Sequence, residues 1–462
     1  MKRKLLSAVI IALMTLAVCK PAAAQQRYIV RTTGGLNSVL NLCLSANCQV
    51  QGSLDGPIGQ TYLVTTTTNI LQALVGGVVN FLEALLGIQS IEQDQALPIP
   101  LPPVNNAPYG LTDTAPVNYF GSVVTHGYAE QPAAEIIRLT EAQQGFGISG
   151  SGIVAVIDTG VDVNHPVLIP VLLPGYDFTR NQPGASEWLD MPQLLTDNDT
   201  TQQSGVVQQQ SAAILDQQSA AILDQQSAAI LDGQPFAAFG HGTMTSGLVH
   251  LAAPTARILP LKAFTSNGTG YLSNIIAALY YAVQHKANVV NMSFDLSTPS
   301  PALSQAVSYA NHANVVLVAA AGNENTSARV YPAAISGSVM GIASTTNWDA
   351  RSSFSNYGSA DVWIAAPGEY VISTFPGGSY AAASGTSFSS PLVAGTTALL
   401  LNAKSGLSQS QASSALSHGR LLTPDLNHGR LDAYQAISAW VNSSSSSSST
   451  SGSSGSCFLL CL

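Results

Sequence analysis

A chain of 462 residues is long enough for one large domain with smaller appendages, and a 46% hydrophobic share suffices for a sizeable core. Only 9% of residues are charged, well below the ~25% usual in soluble domains, so Ser, Thr, Asn and Gln supply most of the polarity. A net charge of −9, with no Lys/Arg cluster beyond the first four residues, excludes a nucleic-acid footprint.

The chain opens on Lys2, Arg3 and Lys4, then an apolar run from Leu5 to Cys19, then Ala22-Ala23-Ala24. That order reads as a signal peptide over residues 1–24. The run is shorter than the ~20 residues a spanning helix needs, which disfavours an uncleaved anchor. A lipoprotein processed at Cys19 is the other alternative, and Val18 stands where such a motif has a small residue. The expected location is outside the cytoplasm: secreted, cell-surface or periplasmic, with no transmembrane span once the signal is removed. The cysteines Cys43 and Cys48, and Cys457 and Cys461, form close pairs suited to small disulfide loops in an oxidising compartment. No cysteine lies between Cys48 and Cys457, which disfavours a thiol nucleophile.

Residues 25–96 read as a small α/β unit, with strands at Arg27–Arg31 and Thr61–Val64 and a helix over Ile70–Ile88. Residues 97–115 carry Pro98, Pro100, Pro102, Pro103 and Pro108 and are expected to be an extended linker. The main domain is placed at 116–441. Its apolar strand Ile153–Ile157 ends in Asp158. A helix at Asn274–His285, a strand at Asn288–Met292, a helix at Ser304–His312, a strand at Val315–Ala321 and a helix at Pro391–Ala403 follow. Strands without a polar face, separated by helices, predict a mostly parallel sheet covered on both sides. Residues 201–234 form an insertion in which Gln-Gln-Ser-Ala-Ala-Ile-Leu-Asp occurs three times, at 209–216, 217–224 and 225–232. The period fits neither a heptad nor a known solenoid, so a surface insertion is the plainer reading. The tail, 442–462, is Ser-rich through Ser456.

Three short motifs carry chemistry. Asp158-Thr159-Gly160 closes a central strand, at the sheet edge where open α/β folds bind ligands. His241-Gly242-Thr243 opens an apolar stretch. Gly385-Thr386-Ser387 stands at a helix entrance, where backbone N–H groups face a developing anion. Each motif alone is weak; in this order they are specific.

With these motifs the main domain resembles the subtilisin family of serine proteases over roughly residues 133–440. Further blocks that match are Val290-Asn291-Met292-Ser293, Ala320-Ala321-Gly322-Asn323-Glu324, Phe354-Ser355-Asn356-Tyr357-Gly358, Ala365-Ala366-Pro367-Gly368 and Gly429-Arg430-Leu431-Asp432-Ala433. The resemblance implies a three-layer αβα fold and an Asp158–His241–Ser387 triad. It assigns Asn323 and the Ser387 N–H to an oxyanion hole. It implies substrate-backbone pairing along Gly268, Thr269, Gly270 and Tyr271 and along Ser293, Phe294 and Asp295, with Gly322 at the pocket. The family commonly has glycine where this chain has Asp295. With Glu324 nearby, that carboxylate either favours basic or polar substrate side chains or faces solvent.

Residues 25–96 resemble the propeptide that chaperones and inhibits such enzymes, implying self-cleavage between Asp94 and Gln131. Partners are then protein or peptide substrates and the chain's own propeptide. No cofactor or metal is assigned. The calcium insertion that many relatives carry after the histidine has no room before Pro254. Asp177, Asp190, Asp197 and Asp199 lack ligand spacing, and calcium elsewhere stays open without a recognisable site. His165, His126, His250, His285, His312, His418 and His428 are assigned to packing or the surface. The alternative function is a catalytically silent, surface-attached binding or adhesive protein on the same fold.

Overall fold

The computed structural model describes residues 25–67, 69–70, 87–98, 109–191 and 238–443. The signal peptide, most of the expected Ile70–Ile88 helix, the octapeptide repeats, and the tail from 444 with Cys457 and Cys461 lie outside the described residues. The chain divides into two compact units, Met1–Asp94 and Gln95–Leu462.

In the first unit, four antiparallel strands stand in the order Cys48–Ser53, Thr61–Thr66, Gln26–Thr32, Ile88–Gln93. The helix Gly35–Ala46 presents Val39, Leu42, Cys43 and Ala46 at helical spacing, and these pack with Tyr28, Val30, Tyr62 and Val64. Asn47 takes the left-handed conformation that ends the helix, and a Cys43–Cys48 disulfide closes the turn. Both strands expected here form and run slightly longer than expected.

In the second unit an eight-stranded sheet runs Gln182–Pro183, Tyr176–Asp177, Arg257–Lys262, Ile153–Asp158, Val289–Met292, Val316–Ala320, Met340–Thr345, Ile364–Pro367. All pairs are parallel except the first. The five strands from Ile153–Asp158 to Ile364–Pro367 are buried except at the half-buried Ile153, as their continuous apolar runs require. The helices His241–Ala252 and Thr386–Ala403 pack on each other and join Val154, Val156, Val316, Val318, Ile342 and Ile364 in one core. Leu272–Gln284 and Pro301–His312 pack together as a second helical pair against the same sheet. Sequence neighbours of Ile153–Asp158 lie to both sides of it, so the topological switch point falls at its carboxyl end, beside that of Val289–Met292.

Two expectations are corrected. The last long helix begins at Thr386, not Pro391, and Pro391 lies inside it. A proline breaks the bond to the carbonyl four residues back, here that of Ser387. Ser293 Oγ supplies the missing donor to that carbonyl at 2.8 Å, so the helix runs through the proline. The Pro-rich linker also starts in ordered structure: Ala96–Pro98 forms an antiparallel strand with Thr269–Tyr271, and Leu97 is buried. Polyproline composition predicts an extended backbone but not whether an open strand edge captures it.

Candidate active site

Asp158 is the last residue of a buried strand and is itself 1% exposed. Its carboxylate is fully used. Oδ1 meets His241 Nδ1 at 2.7 Å and accepts Thr159 N–H at 2.7 Å; Oδ2 accepts Thr245 Oγ1–H at 3.1 Å. Thr245 lies one turn along the helix that His241 opens, so one helix presents both groups to the strand end. With Nδ1 held by the carboxylate, the imidazole is oriented, and Nε2 is buried with no hydrogen-bond partner. Gly242 explains why the motif needs a glycine. A Cβ there would lie 2.0 Å from the Gly160 carbonyl oxygen, so any side chain would push the helix from the Asp158 turn.

Ser387 lies in the first turn of the Thr386–Ala403 helix and is fully buried. The His241 ring stands 5.2 Å from that of Phe388, the next residue. Ser387 Oγ donates to Ser293 O at 3.2 Å. The same junction is tied by Asn291 Nδ2 to Ser293 Oγ, 2.9 Å, and by Ser390 Oγ to Asn291 Oδ1, 2.7 Å. Asn323 Oδ1 accepts from Thr386 N–H and Thr386 Oγ1–H at 2.9 and 3.0 Å. That fixes the amide so that its NH2 end, a pure donor, points away from Thr386.

The remaining expected substrate residues separate into two sets. Thr269 and Gly270 lie on the edge already paired with Ala96–Pro98, and Gly268 directly precedes it. Ser293, Asp295 and Gly322 gather at the Thr386-Ser387 turn. Gly322 N–H donates to Thr386 Oγ1 at 3.2 Å, and Asp295 Oδ2 lies 2.8 Å from where a Gly322 Cβ would stand. The Phe294 side chain does not join them. It is fully buried against Phe264, ring centres 5.3 Å apart, so only its backbone faces the groove.

Sequence reasoning missed a buried polar cluster behind Asp158. Glu187, 0% exposed, accepts from Thr159 Oγ1, from Thr243 Oγ1 at 2.5 Å and from Gly242 N–H at 3.1 Å. It therefore clamps the turn after Asp158 to the start of the His241 helix. Burial pushes its carboxyl above the usual glutamate range, opposed by the two threonine hydroxyls and Lys262. Lys262 is fully buried and donates to Thr159 O at 2.6 Å, Phe264 O at 2.8 Å and Asp190 Oδ2 at 2.6 Å. Asp177 and Asp190 are bridged by Arg180, at 3.0 and 2.5 Å. Only the hydroxyls of Thr159 and Thr243, flanking two motifs, hinted that something buried accepts from them. Among the other histidines, His165 and His250 are buried. The first bonds Ser379 O and the second Tyr128, each at 3.0 Å.

Comparison with known proteins gives the family. The profile described as "Subtilase family" matches residues 150–435, which contain Asp158, His241, Asn323 and Ser387. Thermitase of Thermoactinomyces vulgaris is 34% identical over 313 residues, covering 64% of this chain and 93% of thermitase. The thermophilic serine proteinase of Bacillus sp. (strain AK1) is 33% identical over 300 residues, 63% of this chain; the chain spans less than two thirds of that relative, 63% of its length. A solved structure described as a lanthipeptide protease superposes with a TM-score of 0.51 over 67% of this chain and 94% of its own, at 22% identity, a likeness of fold. The chain belongs to the subtilase family of serine endopeptidases.

Proposed function

We propose that this protein is an exported endopeptidase, made as a self-processed precursor, that cleaves peptide bonds through an acyl-enzyme on Ser387. The observation that carries the reading is the Asp158–His241 pair. Nδ1 is held at 2.7 Å while Nε2 is left buried and unpartnered, and the imidazole ring stands 5.2 Å from that of Phe388, the residue after Ser387. Ser387 Oγ exchanges its bond to Ser293 O for one to Nε2, loses its proton there and attacks the scissile carbonyl. His241 then delivers that proton to the leaving amine, and Asp158 stabilises the imidazolium between the two transfers. Water, deprotonated by the same nitrogen, attacks the acyl carbon, the ester bond to Ser387 breaks, and His241 returns the proton to Ser387 Oγ. Asn323 Nδ2 and the Ser387 N–H receive the oxyanion. A side-chain donor of this kind contributes about 3–4 kcal/mol, a magnitude established in subtilisin itself.

The precursor reading is supported by the strand Ala96–Pro98 on Thr269–Tyr271, reinforced by Leu272 N–H to Gln95 O at 2.9 Å. A segment following the N-terminal unit occupies the edge where an extended substrate would pair, which is how a propeptide inhibits. The Lys2–Ala24 leader and the Cys43–Cys48 disulfide support export. Among the described residues no helix is long and apolar enough to cross a membrane. Expression of the full chain tests the reading. Wild type is expected to hydrolyse casein and to yield a shorter product with a new N-terminus between Asp94 and Gln131, while Ser387→Ala does neither. Equal processing of both would assign the cut to another protease.

A further inference from the structure

We infer that the substrate side-chain pocket beside Gly322 is anionic and takes lysine or arginine, bound by Asp295 together with Glu324. This rests on the endopeptidase reading above and names its substrate class.

The location follows from neighbours already described. Ser293 O is the acceptor of Ser387 Oγ, and Asp295 lies two residues further along the same segment. Gly322 directly precedes the oxyanion residue Asn323. Gly322 has φ +96°, a conformation suited to glycine, and the missing side chain leaves a point on which three polar groups converge. A Cβ there would stand 2.3 Å from Asn356 Nδ2, 2.7 Å from Glu324 Oε2 and 2.8 Å from Asp295 Oδ2. Two carboxylates from separate loops thus crowd the same point, over the residue that precedes Asn323.

Their hydrogen bonding is unequal. Glu324 Oε2 accepts from Asn356 Nδ2 at 2.7 Å, and Asn356 is itself anchored by donating to Ala321 O at 2.9 Å. Asp295 Oδ2 is buried and has no hydrogen-bond partner. In the same unit the buried carboxylates Asp158, Asp162, Asp177, Glu187, Asp190 and Asp361 all accept from at least one backbone or side-chain donor. Asp295 departs from that pattern where substrate must enter. Its burial, and Glu324 beside it, push its carboxyl up to about 7, the response of a charge without a counter-ion. An ammonium or guanidinium group that reaches these carboxylates supplies both the charge and the donors. An apolar side chain would leave the Asp295 oxygen desolvated and unpaired, a penalty that discriminates between substrates.

The test uses protein recovered from expression of the full chain. Peptides differ only in the residue before the scissile bond: Lys, Arg, Gln, Leu or Phe. For wild type, kcat/KM for Lys and Arg should exceed that for Leu and Phe at least tenfold. Asp295→Gly should cut the Lys/Leu ratio at least tenfold, and Glu324→Gln by less. Because the ratio is read within one preparation, the fraction folded cancels. Wild type that prefers Leu or Phe, or an Asp295→Gly ratio within twofold of wild type, overturns the inference and leaves the endopeptidase reading standing. Hydrolysis that survives Ser387→Ala, or no hydrolysis of any peptide, overturns both.

Discussion

Asp158 and Asp295 are held under opposite rules. Asp158 accepts three hydrogen bonds from its own protein, and the clamp formed by Glu187, Thr159 and Thr243 holds the turn that carries it. Asp295 has a buried oxygen that nothing in its own protein satisfies. The contrast separates two tasks. Groups that handle the proton and the oxyanion must be in place before substrate arrives, because reorganisation during the reaction raises the barrier. A group that selects substrate gains by being incomplete, since only the right side chain relieves it.

The contrast can be broken at several points. Asp158→Asn removes the charge while keeping the shape, and should lower kcat by about 10⁴-fold with little change in fold, read by circular dichroism beside steady-state kinetics. Asn323→Ala should lower kcat by about 10²–10³-fold with KM nearly unchanged, because the lost donor acts on the transition state. Glu187→Ala should cost about 3 kcal/mol of stability in urea denaturation, by leaving buried donors without an acceptor. Glu187→Gln, which keeps an acceptor and carries no charge, should cost less. A larger loss in Glu187→Gln than in Glu187→Ala would contradict the clamp.

The smallest effect is expected away from the site. Burial beside Tyr128 pushes His250 down to about 4. A histidine with a depressed folded value adds stability above pH 6.5 that is lost as pH falls toward 4, because the unfolded chain then binds more protons. His250 should therefore account for about 2 kcal/mol of the stability lost between pH 7 and pH 5. His250→Gln should show a correspondingly flatter pH dependence in urea denaturation.

Much of the site was legible because its residues sit in motifs that local backbone geometry demands. Gly242 must be glycine to approach Gly160, Asp158 ends an unmistakable apolar strand, and Asn323 follows a glycine in a left-handed turn. Glu187 was not legible, because Ser186-Glu187-Trp188 has no periodicity or motif and its role exists only once three distant donors close around it. The start of the Thr386–Ala403 helix was hidden for a similar reason. Proline favours a helix's first turn, and only the tertiary donor from Ser293 allows Pro391 deeper inside. Leu97 and Pro98 read as linker because strand addition depends on the partner edge and not on the segment's own residues.

The most direct measurement is the mass-spectrometric mapping of a fluorophosphonate adduct on the purified protein. The account predicts a single adduct on Ser387, absent from Ser387→Ala and formed far more slowly in Asp158→Asn. An adduct on another residue, or equal labelling of wild type and Ser387→Ala, would contradict it.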